Sequence, residues 1–271
     1  TTTGQALVEH PAIKAVSFTG GTTTGARIAG TAAPLFKKLS LELGGKNPNV
    51  IFADCDFDKM LATTLRSSFQ NQGQICLCGS RILVERSLHD RFVSAFVEKA
   101  SGLVVGDPRD SKSVLGAVVS YPHQQKILAA IRQATTDGAE VLCGGEAVDV
   151  PGRCQNGWFV APTVLAGLGP GCAANQDEIF GPVVTIQAFD DDDHALALAN
   201  DSRYGLSSTV WTSNLPRALR VAKQIETGVV WINGWLIRDL RTPFGGMKQS
   251  GVGREGGQEA MAIWTQPRNI C

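Results

Sequence analysis

Cys76 closes the stretch Phe69-Gln70-Asn71-Gln72-Gly73-Gln74-Ile75-Cys76, a polar and glycine-bearing run that ends a helix-like segment and precedes an apolar strand. A thiol attacks an electrophilic carbon only as thiolate, so it needs nearby positive potential, aligned amide dipoles or a base. Gly73 offers room for backbone N–H groups to approach a reacting oxygen. By residue type alone a free cysteine is more often a small buried core residue, so a nucleophilic Cys76 requires the rest of the chain to supply a base and an anion site. Cys78, two residues on, faces the other way on an extended segment and is read as structural, with redox exchange with Cys76 as the alternative.

The base candidate lies in Leu41-Glu42-Leu43-Gly44-Gly45-Lys46-Asn47-Pro48. A carboxylate between two leucines is costly to bury unless its pKa rises or it finds a partner. A raised pKa is what a general base working near neutrality needs, which singles out Glu42; a surface position on an alternating strand is the competing reading. Thr19-Gly20-Gly21 precedes a helix-compatible stretch and offers N–H groups to a phosphate, a weak signal by itself. Gly251-Val252-Gly253-Arg254-Glu255-Gly256 fits the dinucleotide fingerprint better in spacing, but no βαβ unit fits after it, and it is set aside. His10, His89, His123 and His194 are scattered and there is no C-x-x-C, so no metal site is expected.

Hydrophobic periodicity supplies the elements that must position these groups. Strands are expected at 15–18, 49–53, 81–84, 140–143, 158–164, 183–189, 207–212 and 228–232, and helices at 26–32, 57–69, 88–99, 122–135, 193–200 and 215–225. In 57–69 the apolar residues Phe57, Met60, Leu61, Leu65 and Phe69 share one face, and in 88–99 Leu88, Phe92, Ala95 and Phe96 do. Strands alternating with helices imply an α/β fold with a mainly parallel sheet. The acidic run 190–193 caps the helix that follows it.

With 271 residues and 43% hydrophobic content the chain can bury one large or two modest cores. Lys+Arg and Asp+Glu both count 25, so no global field draws in nucleic acid or an anionic membrane. Seven cysteines, an odd number in a chain of this length, fit a reducing, cytoplasmic compartment better than a disulfide framework. No apolar run is long enough to cross a bilayer. The opening Thr1-Thr2-Thr3-Gly4 reads as the interior of something longer, so a fragment is expected.

Five strings in register, F-T-G-G at 18–21, L-E-L-G-G-K-N-P at 41–48, F-Q-N-Q-G-Q-I-C at 69–76, E-I-F-G-P-V at 178–183 and P-F-G-G-M-K-Q-S-G at 243–251, strongly resemble the aldehyde dehydrogenase superfamily from about His10 to Asn269. The resemblance implies NAD(P)-dependent oxidation of a small aldehyde to a carboxylate, with Cys76 as nucleophile, Glu42 as base, and a thiohemiacetal and thioester on Cys76. It implies an oxyanion site made by the Cys76 N–H and an asparagine amide. Glu178 matches the residue bonded to the nicotinamide ribose, Phe180 the one packed beside the nicotinamide, and Thr19, Gly20, Gly21 and Gly44 the cofactor-facing turns. NAD is the expected cofactor, and the segment that would choose between NAD and NADP has no counterpart here.

The resemblance also implies a domain division, with 1–43 a remnant of the NAD-binding domain, 44–250 the catalytic domain and 251–271 a segment leading into an oligomerisation strand. Gly21 stands where many members carry serine, which loses a hydroxyl contact to the diphosphate. The N-terminal part of the family, with most of the cofactor domain and the oxyanion asparagine, has no counterpart, so tight NAD binding by this chain alone is not expected. The full-length form is expected to be a homodimer or homotetramer. Trp235-Leu236-Ile237-Arg238-Asp239-Leu240-Arg241-Thr242-Pro243-Phe244 resembles the branch acting on 2-aminomuconic and 2-hydroxymuconic semialdehydes. An arginine this close to an aldehyde pocket implies a substrate carboxylate, with Arg238 as clamp and Phe244 stacking on the conjugated chain; an ion pair of Arg238 with Asp239 is the competing reading. Two other functions stay open, a non-catalytic subunit that keeps the fold and a cofactor-independent thiol esterase using Cys76 and Glu42.

Overall fold

A computed structural model describes residues 2–271 and is built on a seven-stranded sheet. In spatial order its strands are Val229–Ile232, Ser207–Trp211, Asn47–Ile51, Gly79–Glu85, Val183–Phe189, Thr163–Ala166 and Glu140–Cys143. All neighbours run parallel except the last pair. Asn47–Ile51 and Ser207–Trp211 are buried along their whole length, as strands of a sheet covered on both faces must be.

The expected helices cover it. Phe57–Phe69 starts at Asp56, whose side chain accepts the Lys59 N–H at 3.2 Å, and lays Met60, Leu61 and Phe69 into a core shared with Phe92 and Phe96 of the helix Arg86–Ser101. Asp191 caps the helix Asp192–Asn200 by accepting the His194 N–H at 2.8 Å, the role expected for the acidic run.

Two local expectations are corrected. The helix expected at 26–32 begins at Thr22, a turn earlier than its apolar periodicity, because the threonines 22–24 form its polar first turn, and it is preceded by a helix, Thr2–Glu9, that was not expected. The strand expected at 158–164 is two strands, Phe159–Val160 paired with Ala147–Val148, and Thr163–Ala166 in the large sheet. Pro162 between them has no N–H to give a ladder.

A second, three-stranded sheet carries the base candidate. Ala15–Thr19 pairs in parallel with Lys38–Glu42, which also pairs antiparallel with Gly251–Val252. The stretch set aside as a chance fingerprint is therefore a strand edge. Thr19 lies opposite Glu42 at the carboxyl ends of the parallel pair, the end at which α/β sheets bind ligands.

Candidate active site

Cys76 follows the short helical turn Gln70–Gly73, in which Asn71 (φ 52°), Gln72 (φ 56°) and Gly73 (φ 68°) are left-handed. A Cβ on Gly73 would lie 2.1 Å from the Gly181 carbonyl oxygen. Gly73 is thus needed for backbone-to-backbone contact with the next loop, a different reason from the oxyanion clearance expected of it. Beyond it the carbonyls are tied. The Asn47 side-chain amide donates to Cys76 O at 2.7 Å and to Cys78 O at 2.8 Å, and Trp235 Nε1 donates to Leu77 O at 2.9 Å. With the carbonyls held, the Cys76 and Leu77 N–H groups favour the thiolate, but burial and then the charges of Glu178 and Glu42 outweigh them and push the thiol up to about 11. Near neutrality the thiol keeps its proton, so a base has to take it.

Glu42 ends its strand 5% exposed, and neither carboxylate oxygen has a hydrogen-bond partner. Burial, followed by the charge of Glu255, pushes it up to about 7, while Arg254 and Arg238 pull the other way. The buried, raised carboxylate expected between Leu41 and Leu43 is therefore present. A Cβ on Gly245 would stand 2.9 Å from Glu42 Oε1, so this glycine leaves the carboxylate its space.

One cleft of ≈ 520 Å³ brings together Cys76, Glu42, Gly44, Glu178, Phe180 and the turn 19–21. Glu178 is fixed by the Gly45 N–H, which donates to its Oε1 at 3.0 Å, and a Cβ on Gly44 would fall 2.2 Å from its Oε2. Burial raises the pKa of Glu178, and the Gly45 N–H, Lys126 and Lys46 act against it. The turn leads into the helix Thr22–Ala32, whose N-cap Gly21 caps no N–H by side chain, and the buried Thr22 Oγ1 has no partner. Free donors at a helix start, beside a carboxylate held in a cradle of glycines, fit a dinucleotide's diphosphate and ribose hydroxyls.

Arg238 and Phe244 do not line this cleft. The exposed Arg238 lies with its guanidinium carbon 4.2 Å from the centre of the Phe244 ring, and its charge reaches Glu42. Asp239 is bound by Arg241, with Nε at 2.9 Å and 3.1 Å from its two oxygens. Phe244 packs on the cluster of Leu77, Leu206, Trp231 and Trp235, against which Cys76 also packs. The pair thus meets the thiol's surroundings through that shared cluster rather than through the cleft.

Sequence reasoning missed the residues that hold others in place. Asn47 clamps the thiol loop and also accepts the Ser207 N–H at 3.0 Å; an asparagine opening a fully buried strand, where such residues are depleted, was its signal. Trp235 and His123 carried no such signal. His123 also lines the cleft.

A model of the aldehyde dehydrogenase family matches residues 1–270. The 2-aminomuconic semialdehyde dehydrogenase of Danio rerio is 47% identical over 270 residues, which are 98% of this chain and 55% of that protein. The 2-hydroxymuconic semialdehyde dehydrogenase of Pseudomonas sp. (strain CF600) is 46% identical over 268 residues, 99% of this chain and 55% of that protein. The crystal structure of betaine aldehyde dehydrogenase from Staphylococcus aureus in complex with NAD+ superposes with a TM-score of 0.91 at 39% identity, covering 96% of this chain and 51% of that one. The chain thus spans about half the length of the curated relatives it matches.

Proposed function

The chain belongs to the aldehyde dehydrogenase family, and on that premise we propose that the protein oxidises an acidic, muconic-type semialdehyde to its carboxylate with NAD. The observation that carries this reading is the single cleft in which Cys76 and the unpartnered Glu42 face the turn 19–21 and Glu178. The Cys76 thiol gives its proton to the Glu42 carboxylate and its sulfur adds to the aldehyde carbon. The oxyanion that forms lies toward the Cys76 N–H. Thr19, Gly20, Gly21 and Gly44 would hold the dinucleotide, with Glu178 on its ribose and Phe180 beside its nicotinamide. The chemistry supplied by a bound nicotinamide is acceptance of the hydride that turns a thiohemiacetal on Cys76 into a thioester. Once the proton taken from Cys76 has passed from Glu42 to solvent, the carboxylate takes a proton from water, whose oxygen adds to the thioester, and returns it to the departing sulfur as the acid is released.

The substrate reading rests on Arg238, exposed and not held by Asp239, and on the names of the relatives at 46–47% identity. Arg238 would meet the remote carboxylate and Phe244 the conjugated chain. We further assign 1–43 to the cofactor-binding part, 44–250 to catalysis and 251–271 to assembly into a homo-oligomer, for which the exposed Val252, Met261, Trp264 and Ile270 are suited. Among the described residues no helix is long and apolar enough to cross a membrane, and all seven cysteines are free, which favours a cytoplasmic site of action.

Mixing the full-length protein with NAD and 2-hydroxymuconic semialdehyde, and following NADH by absorbance, tests the reading. Cys76→Ser is expected to abolish the signal. Turnover of neutral aldehydes in preference to the acidic dienoic ones would refute the substrate, and full activity in Cys76→Ser would refute the mechanism.

A further inference from the structure

Phe180 holds φ at 57°, a left-handed conformation that a bulky residue keeps only with outside support. That support comes from the helix Tyr121–Thr136. His123, in its first turn, places Nε2 2.7 Å from the Phe180 carbonyl oxygen. A carbonyl oxygen can only accept, so Nε2 carries the proton, which settles the tautomer when the ring is neutral. The His123 ring also meets the Phe180 ring edge-on, with centroids 6.2 Å apart and planes at 63°. Neighbours hold the histidine itself. Its backbone N–H donates to Ser120 Oγ at 3.4 Å, and the next side chain, Gln124, donates to Phe159 O at 2.8 Å.

The same helix supports the peptide that follows. A Cβ on Gly181 would come 2.6 Å from Ile127 Cδ1, one helical turn beyond His123, while the carbonyl of Gly181 lies against Gly73 in the loop that delivers Cys76. One helix therefore touches the Phe180–Gly181 unit twice, and that unit touches the thiol loop. Neither Phe180 nor Gly181 can change its backbone without moving something across the cleft.

We propose that His123 is a positioning residue, one whose Nε2–H bond holds Phe180 in its left-handed conformation, so that the ring stays as the cleft wall and Gly181 stays braced against the Cys76 loop. This rests on the reading of the cleft as the nicotinamide site. Loss of the bond lets the turn relax toward ordinary φ, which withdraws the wall and loosens the brace together. A glutamine can present an N–H near the position of Nε2, whereas a leucine of similar bulk cannot.

The test compares His123→Leu and His123→Gln in the full-length protein with two readouts, the NAD dissociation constant from quenching of tryptophan fluorescence and the rate of Cys76 alkylation by iodoacetamide without NAD. His123→Leu is expected to weaken NAD about tenfold, the worth of one well-made hydrogen bond, and to speed alkylation several-fold; His123→Gln is expected to stay within about twofold of the parent on both. Both readouts unchanged in the leucine variant, or a glutamine variant that behaves like it, would overturn the proposal. Phe180→Ala separates the two layers of the argument. If it leaves NAD affinity intact, the nicotinamide reading fails, and the alkylation rates still decide the role of His123. Should the leucine variant not fold, the parent protein supplies a second measurement, because the bonded imidazole Nε2–H is expected as a downfield, exchange-slowed proton in ¹⁵N-resolved spectra, and a His123 ring protonated only on Nδ1 would refute the bond.

Discussion

Replacing Glu42 by glutamine separates the group's effect on stability from the role of base proposed for it. Folding carries the carboxyl from 4.5 to about 7, chiefly by burial. The folded chain thus binds this proton more tightly than the unfolded chain does. The contribution is fully present below pH 4.5, declines as pH rises, and is lost once pH passes about 7. At about 1.4 kcal/mol per pH unit the whole window is worth about 3 kcal/mol, of which about 2 kcal/mol falls between about pH 5 and about pH 8. Glutamine resembles the protonated form in size and is left as unpartnered as both oxygens of Glu42 already are, so its own penalty is the same at every pH. Urea unfolding of the parent and of Glu42→Gln across this range should show the variant gaining about 2 kcal/mol on the parent toward alkaline pH. Thioester hydrolysis in a single turnover should slow by about 10²- to 10⁴-fold in the same variant. Stability curves that stay parallel from acid to alkaline pH would refute the claim that burial raises the pKa of Glu42.

Four further outcomes are expected. Arg238→Ala should raise KM for acidic semialdehydes about tenfold with little change for neutral ones, and it should move the pH midpoint of thioester hydrolysis upward, since the Arg238 charge lowers the pKa of Glu42; steady-state profiles on both substrates check this. Glu255→Gln should move the same midpoint downward, because the Glu255 charge raises that pKa. Gly73→Ala meets both a left-handed φ of 68° and the Gly181 carbonyl, so it should cost at least about 2 kcal/mol in denaturant unfolding and slow the chemistry of Cys76. Asn47→Ala leaves two carbonyls without their donor, for a loss of about 3 kcal/mol by thermal unfolding and a thiol loop whose amides exchange faster.

The sheet and its helices were legible because their signals are local. Met60, Leu61 and Phe69 repeat at helical spacing and do face one core, and the buried carboxylate of Glu42 follows from its two leucine neighbours. What sequence spacing did not reveal depends on contacts between distant segments. Gly73 is glycine because of Gly181, Gly44 because of Glu178 and Gly245 because of Glu42, and no window of sequence contains both members of such a pair. The Arg238 surroundings were open for a related reason. Asp239, the neighbour in sequence, is taken by Arg241, and Phe244 takes the guanidinium instead. The strand Gly251–Val252 was hidden by its glycines, which fit a phosphate loop in spacing and a two-residue sheet edge in space.

That short strand has a consequence for how the molecule is made. All seven strands of the large sheet lie before residue 233, so a growing chain can complete that sheet while the residues after 233 are still being synthesised. The strand Lys38–Glu42 waits longer, because Leu43 donates to Ser250 O at 2.9 Å and the Glu42 edge closes only on Gly251. Until then it is an open edge, the kind that recruits foreign strands. The strand that ends in Glu42 therefore gains its second neighbour last, and a chain ending before Gly251 would leave one side of that strand unpaired beside the cleft.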